Sequence, residues 1–330
     1  EGVEGGRRKV REESQAGATQ KKIKASAGVA TQTDPIANTQ NSDDEMREIV
    51  DEAEAANTYV RARAYTGRAI ARAVRCGVRT IEHGNLVDEA AAQLMHEHGA
   101  FVVPTLVTYD ALAKHGAEFG MPPESVAKVA SVQQKGRESL EIYANAGVKM
   151  GFGSDLLGEM HAFQSGEFRI RAEVLGNLEA LRSATTVAAE IVNMQGQLGV
   201  IAVGAIADLV VLDGNPLEDI GVVADEGARV EYVLQRGTLV KRQAGGRGSD
   251  DVLPDSYTHL RLPTIDSGLI ALFVRLFNNN NASTEIIAVS HLHFTHYPLA
   301  PTPILTSPRR STHTPPDPPT HPPPRHAPLL

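Results

Sequence analysis

Cysteine is almost absent. Cys76 is the single one in 330 residues, so no intrachain disulfide can form and the redox compartment is open. Tryptophan is missing and aromatics make up 5%, so any core must be built mainly from aliphatic side chains. Basic residues are the minority, 32 against 40 acidic ones, for a net charge of -8. That balance argues against a general nucleic-acid or membrane-surface binder. No apolar run is long enough to span a bilayer, Leu269–Phe277 included, and the N-terminus has no signal-like pattern. The cytoplasm is then the default expectation. No methionine opens the chain, which suggests a fragment.

What is present is unevenly distributed. Of 19 prolines, 14 lie after residue 250, as do seven of the 12 histidines. Residues 243–330 are accordingly expected to be a disordered or non-native tail, with Gly245, Gly246 and Gly248 as its linker.

Residues 20–200 alternate short apolar runs with amphipathic stretches. Strands are expected at 22–26, 58–62, 78–82, 100–104 and 148–153. Helices are expected at 42–56, 67–76, 87–98, 123–146 and 167–181. Ser42 is a suitable N-cap, with Glu45 three residues on to complete a capping box. Gly77, Gly99 and Gly147 stop helices. Strand–helix alternation with glycine punctuation points to parallel βα units, and five in a row suit a (β/α)₈ barrel. A doubly wound sheet fits the periodicity too, but no glycine-rich nucleotide fingerprint follows any strand. Residues 208–213 and 230–240 are β-rich, a small module after the barrel.

In such a barrel, active sites form at the C-terminal ends of strands. Two strand ends carry residues suited to zinc: Ile81-Glu82-His83-Gly84 and Gly153-Ser154-Asp155. Asp155 could also take a proton from an attacking water. Taken singly, a histidine at a strand end is more often structural.

Together with their neighbours these residues resemble a family. T-I-E-H-G (80–84), G-F-G-S-D (151–155), K-I-K-A-S-A-G-V (22–29) and A-Y-T-G-R-A-I (64–70) resemble the amidohydrolase superfamily. Its imidazolonepropionase-like and Xaa-Pro-dipeptidase-like members are the nearest branch. G-A-I-A-D-L-V-V-L-D-G-N-P-L (204–217) looks like the return from barrel to β-sandwich. The resemblance covers roughly residues 1–242.

It implies strands four to eight of a TIM-like (β/α)₈ barrel over 1–200 and a β-sandwich segment over 201–242. It also implies a metal site holding one or two divalent ions, zinc above all, with Lys22, His83 and Asp155 as ligands. Lys22 matches the lysine whose neutral amine captures carbon dioxide as a carbamate and bridges two metals. Lys24, two residues along the same face, competes for that role, but K-I-x-A-S is the family's register. Asp155 is the catalytic residue, the proton acceptor for metal-activated water. The implied reaction is hydrolysis of carbon–nitrogen bonds in dipeptides or N-acyl amino acids, with a homo-oligomer compatible.

Departures from the pattern are equally informative. The family carries a histidine just before A-Y-T, where this chain has Arg63. Arginine stays protonated and offers no lone pair, so it cannot replace imidazole. Lys21, Lys24 and Arg61 stand where barrel strands are hydrophobic. The family's first-strand H-x-H pair is missing and is expected upstream of Glu1. A second expectation follows: a truncated, inactive remnant of such an enzyme. Tyr65 and His161 follow strand ends and could touch substrate, with a structural role as natural. His96, His98, Cys76 and the pair His291/His293 are expected outside the site.

Overall fold

The computed structural model describes residues 2–28, 34–118, 123–242, 269–277 and 283–291. Four short strands form one parallel sheet in sequence order: β1 (Lys21–Lys24), β2 (Val60–Thr66), β3 (Thr80–Leu86) and β4 (Phe101–Val103). Parallel neighbours need crossovers, and helices supply them. These are α2 (Asp43–Ala55), α3 (Gly67–Arg75) and α4 (Glu89–Glu97). Helices α5 (Leu106–His115) and α6 (Pro123–Ala146) follow β4. The expected fifth strand at 148–153 is corrected: it meets β4 through a single bridge, Val102 to Met150, not a ladder. Two backbone hydrogen bonds make that bridge, Val102 N–H to the Lys149 carbonyl at 3.1 Å and Gly151 N–H to the Val102 carbonyl at 2.8 Å. Among the described residues the parallel strands therefore make an open α/β sheet.

Side-chain alternation divides that sheet into two faces. Ile23, Ala62, Ala64, Ile81 and Val102 pack against Met46, Val50, Ala73, Met95 and Tyr143 from the helices in one aliphatic core. The alanines of β2 let α3 approach closely. The opposite residues of β1 and β2 are Lys22, Lys24, Arg61 and Arg63. The register sets Lys22 beside Arg61 and Lys24 beside Arg63, which in turn lies beside Glu82 of β3. Lys21, by contrast, is buried at 1% exposure, with its amine 3.5 Å from the Ala18 carbonyl.

Ser42 caps α2 as its sequence predicts. Its hydroxyl accepts from the Glu45 N–H at 3.2 Å, and the Ser42 N–H donates to Glu45 Oε2 at 2.7 Å. Ser42→Ala leaves the Glu45 N–H without its partner and should cost about 1 kcal/mol in urea unfolding. Glu45→Gln, which keeps an acceptor, should cost less.

Helix α1 (Gly2–Gln15) is not expected from the sequence, because one residue, Val10, is buried. Charge holds it instead. Arg11 donates to both Glu52 oxygens of α2, at 2.8 and 2.6 Å, and Arg7 pairs with Glu48.

The expected helix at 167–181 is two, α7 (Gly166–Leu175) and α8 (Asn177–Ser183), broken where Gly176 takes φ +81°. They, with α9 (Thr186–Ile191) following, lead to a second, antiparallel sheet. Its strands are β5 (Leu209–Leu212), β6 (Val230–Gln235), β7 (Thr238–Arg242), β8 (Leu269–Phe277) and β9 (Ser283–His291), in the order β7-β6-β5-β9-β8. A short helix, α10 (Gly221–Ala224), lies between β5 and β6. Val210, Leu212 and Val233 bury against Phe168, Ala180 and Leu181 of α7 and α8. Strands β8 and β9 lie within the stretch 243–330 that the sequence suggests is a disordered or non-native tail. Their sequences, LIALFVRLF and STEIIAVSH, are rich in β-branched and aromatic types, and β9 pairs with the edge of β5. The rest of the expected tail, with the glycine linker and His293, lies outside the described residues. No helix among the described residues is long and apolar enough to cross a membrane.

Candidate metal and catalytic site

Two of the predicted site residues stand out by their backbones. His83 has φ +74° and Asp155 φ +50°, a region that non-glycine residues rarely occupy. Such conformations cost on the order of 1–3 kcal/mol each and collect at functional positions. Gly84, directly after His83, has φ +66° and lies under Tyr143, whose hydroxyl donates to the Gly84 carbonyl at 2.9 Å. A Cβ there would sit 2.2 Å from the Tyr143 oxygen, so only glycine lets the strand end turn.

The turn swings the imidazole of His83 into a buried position, 1% exposed. Its Nδ1 lies 2.8 Å from Thr105 Oγ1, and its ring stacks on Tyr65 at 5.1 Å. Nε2 is buried with no hydrogen-bond partner and lies 3.9 Å from Asp155 Oδ2. Burial, and then the Arg63, Lys22 and Arg61 cations, hold the imidazole well below its usual range, so it is neutral. The Asp155 side chain is 40% exposed. Partial desolvation pushes its carboxyl above the usual range, against the pull of Lys22, Arg63 and Arg61.

Lys22 belongs to the same electrostatic group. Desolvation pushes its amine down, then Arg61, while Glu82 and Asp155 pull the other way. Burial raises the Glu82 carboxyl despite Arg61 and Lys22. The structure thus draws His83 and Asp155 together and couples Lys22 to Asp155 by charge. Lys24 is exposed, beside Arg63 in the register.

A divalent ion fits part of this arrangement. A neutral imidazole nitrogen without a partner faces a carboxylate oxygen. In a tetrahedral site two donors each about 2.0–2.2 Å from the ion stand about 3.3–3.6 Å apart, so these, 3.9 Å apart, would close by a few tenths of an ångström to hold it. Arg63 does not fit: it adds a cation, and its Nε is itself buried without a partner. No group of three or more His, Cys, Asp or Glu residues is gathered for a metal among the described residues.

Sequence reasoning missed Thr105 and Tyr109. The Thr105 hydroxyl meets His83, and the Tyr109 hydroxyl donates to Tyr65 at 3.0 Å. The available signal was position, because Thr105 directly follows the strand expected at 100–104. Tyr65 is buried against His83, while His161 is exposed on a 3₁₀ turn, Gly158–Phe163. His96 and His98 are exposed and bonded to the carbonyls of Gly147 and Leu94, and Cys76 is buried, away from the site.

Residues 1–240 match the Amidohydrolase family. Ochratoxinase of Aspergillus niger is 31% identical over 252 residues, 76% of this chain and 52% of that protein. The chain therefore spans about half the length of the curated relatives it matches. Among solved structures, a prolidase complexed with N-methylphosphonate-L-proline is 92% identical with a TM-score of 0.73, covering 74% of this chain and 60% of its own. A Xaa-Pro dipeptidase with bound methionine in the active site is 29% identical with a TM-score of 0.67, covering 73% and 59%.

Proposed function

Because the chain belongs to the amidohydrolase family, we propose that it supplies part of a metal-dependent hydrolase of carbon–nitrogen bonds. The parallel sheet is then a sector of a TIM-like barrel, and the antiparallel sheet its β-sandwich segment. The substrate class is dipeptides or N-acyl amino acids, supported by similarity to a prolidase and a Xaa-Pro dipeptidase. The observation that carries the proposal is the unpartnered Nε2 of His83 facing Asp155 at 3.9 Å.

His83 and Asp155 would hold a divalent ion, zinc by donor type, with Lys22 as its carbamate. Bound there, the ion supplies Lewis acidity toward the scissile carbonyl. Asp155 accepts the proton that water loses on adding to that carbonyl, and its raised pKa makes the proton easier to retain for the leaving amine. Lys22, exposed on β1, is suited to carbamate formation to the extent that desolvation near the site and the Arg61 cation favour its neutral amine. Loss of His83 removes the one buried nitrogen donor of the pair.

The test is zinc titration of the full chain, followed by assay on Xaa-Pro dipeptides and N-acyl amino acids. One zinc per chain, lost in His83→Gln, is expected. Neither zinc binding nor turnover would sink the proposal.

One observation favours a second reading. Arg63 sets a fixed cation against His83, so the chain as it stands holds the fold without catalysis. Zinc binding without turnover on any substrate of the panel would select that reading.

A further inference from the structure

The N-terminal turn of α5 carries two buried threonines three residues apart, Thr105 at the N-cap and Thr108 inside the helix. An N-cap threonine ordinarily accepts from a first-turn N–H. Thr105 makes no such bond, and Glu167 of α7 takes that place, accepting from the Val107 N–H at 2.7 Å. A threonine inside a helix can bond back to the carbonyl four residues earlier. For Thr108 that carbonyl belongs to Pro104, which accepts from Arg171 of α7 at 2.6 Å.

Both hydroxyls turn to the site. Thr105 Oγ1 lies 2.8 Å from His83 Nδ1. Thr108 donates to the backbone carbonyl of Asp155 at 3.1 Å. A carbonyl can only accept, so the direction of this second bond is fixed. Asp155 needs such a hold, because a non-glycine residue keeps a φ of +50° only where its surroundings enforce it. Leu156, next in the chain, is buried in one apolar cluster with Leu106 and Val107 of the same turn. We infer that Thr108 is a positioning residue whose hydroxyl holds Asp155 in the left-handed backbone that brings its carboxylate to 3.9 Å from His83 Nε2, an inference that rests on the reading of His83 and Asp155 as ligands. One turn of α5 then sets both members of the pair before any ion arrives. The buried Glu167 and Arg171 fasten that turn to α7.

Carbon-13 NMR of the full chain, labelled at aspartate and free of metal, reads the Asp155 backbone through its α-carbon. The Asp155 signal is the one lost in Asp155→Asn. Thr108→Val removes the donor and should move that signal, and Thr108→Ser, which keeps the donor, should return it. Zinc binding, measured by competition with a chelator, should weaken by about tenfold in Thr108→Val and recover in Thr108→Ser. Ser42→Ala, which removes the α2 cap, controls for lost stability and should change neither readout. An unmoved Asp155 signal in Thr108→Val overturns the inference whatever zinc does. Zinc affinity that falls as far in Ser42→Ala as in Thr108→Val overturns it too. A moved signal, returned by serine, in a chain that binds no zinc upholds the positioning and sinks the metal reading instead.

Discussion

Arg63→His should tighten zinc binding by about 100-fold or more, measured by competition with a chelator at neutral pH. Losing an outer hydrogen-bond partner already costs metal sites about 10–100-fold, and a direct ligand is worth at least the upper end. A 100-fold gain corresponds to about 3 kcal/mol. Two changes contribute. The guanidinium is a permanent cation on β2, and it is among the charges that act on His83. Its removal lowers the electrostatic cost of bringing a dication to Nε2. Imidazole then adds a lone pair that arginine lacks. Arg63→Gln separates the two, because it removes the charge and supplies no imidazole. Histidine should exceed glutamine by about tenfold. Equal gains would show that charge alone matters and that residue 63 does not reach the ion. No gain from either would place the ion away from His83.

Arg63 also shows where the sequence was legible and where it was not. The strand and helix alternation was readable because each unit is local: Ser42 with Glu45, and glycines 77, 99 and 147 closing helices. His83 and Asp155 were readable because short motifs surround them. Their approach to 3.9 Å was not, since it depends on two left-handed residues far apart in sequence, one within β3 and one beyond residue 153. Thr105 was hidden for a related reason. A threonine after a proline reads as a helix cap, and what frees it from that duty is Glu167, sixty residues on. Helix α1 was hidden because its stability comes from ion pairs with α2 and not from an apolar stripe. Strands β8 and β9 were hidden by composition: prolines and histidines around them masked two runs that complete a sheet. The expected fifth strand failed in the other direction, because apolar character without a second ladder yields one bridge.

Arg171→Met should destabilise the fold more at pH 8 than at pH 5, by about 1.4 kcal/mol, because a carboxyl of pKa about 7 that loses its partner takes up a proton instead of staying charged. Arg171 and Glu167 are both fully buried, paired at 2.8 Å one turn apart on α7. Arg171 also donates to the Pro104 carbonyl at 2.6 Å, and Glu167 accepts from Val107, so the pair fastens α7 to the β4–α5 junction beside Thr105. Desolvation outweighs the Arg171 charge and lifts the Glu167 carboxyl from 4.5 to about 7. A raised carboxyl binds its proton more tightly when folded than when unfolded. Its contribution to stability is therefore full below pH 4.5 and is lost as pH rises through about 7. Removing Arg171 raises that carboxyl further. The loss from Arg171→Met should then shrink between pH 8 and pH 5, where Glu167 is protonated with or without its partner. Glu167→Gln keeps an acceptor for Val107 and cannot ionise, so the double variant Glu167→Gln, Arg171→Met should lose its extra instability at pH 8 and show the same stability at pH 5 and pH 8. Urea unfolding of the four proteins at pH 5 and pH 8 decides it. A single-variant loss that is the same at both pH values, or a double variant no better than Arg171→Met at pH 8, would mean that Arg171 stabilises by packing on Phe152 and not by its charge.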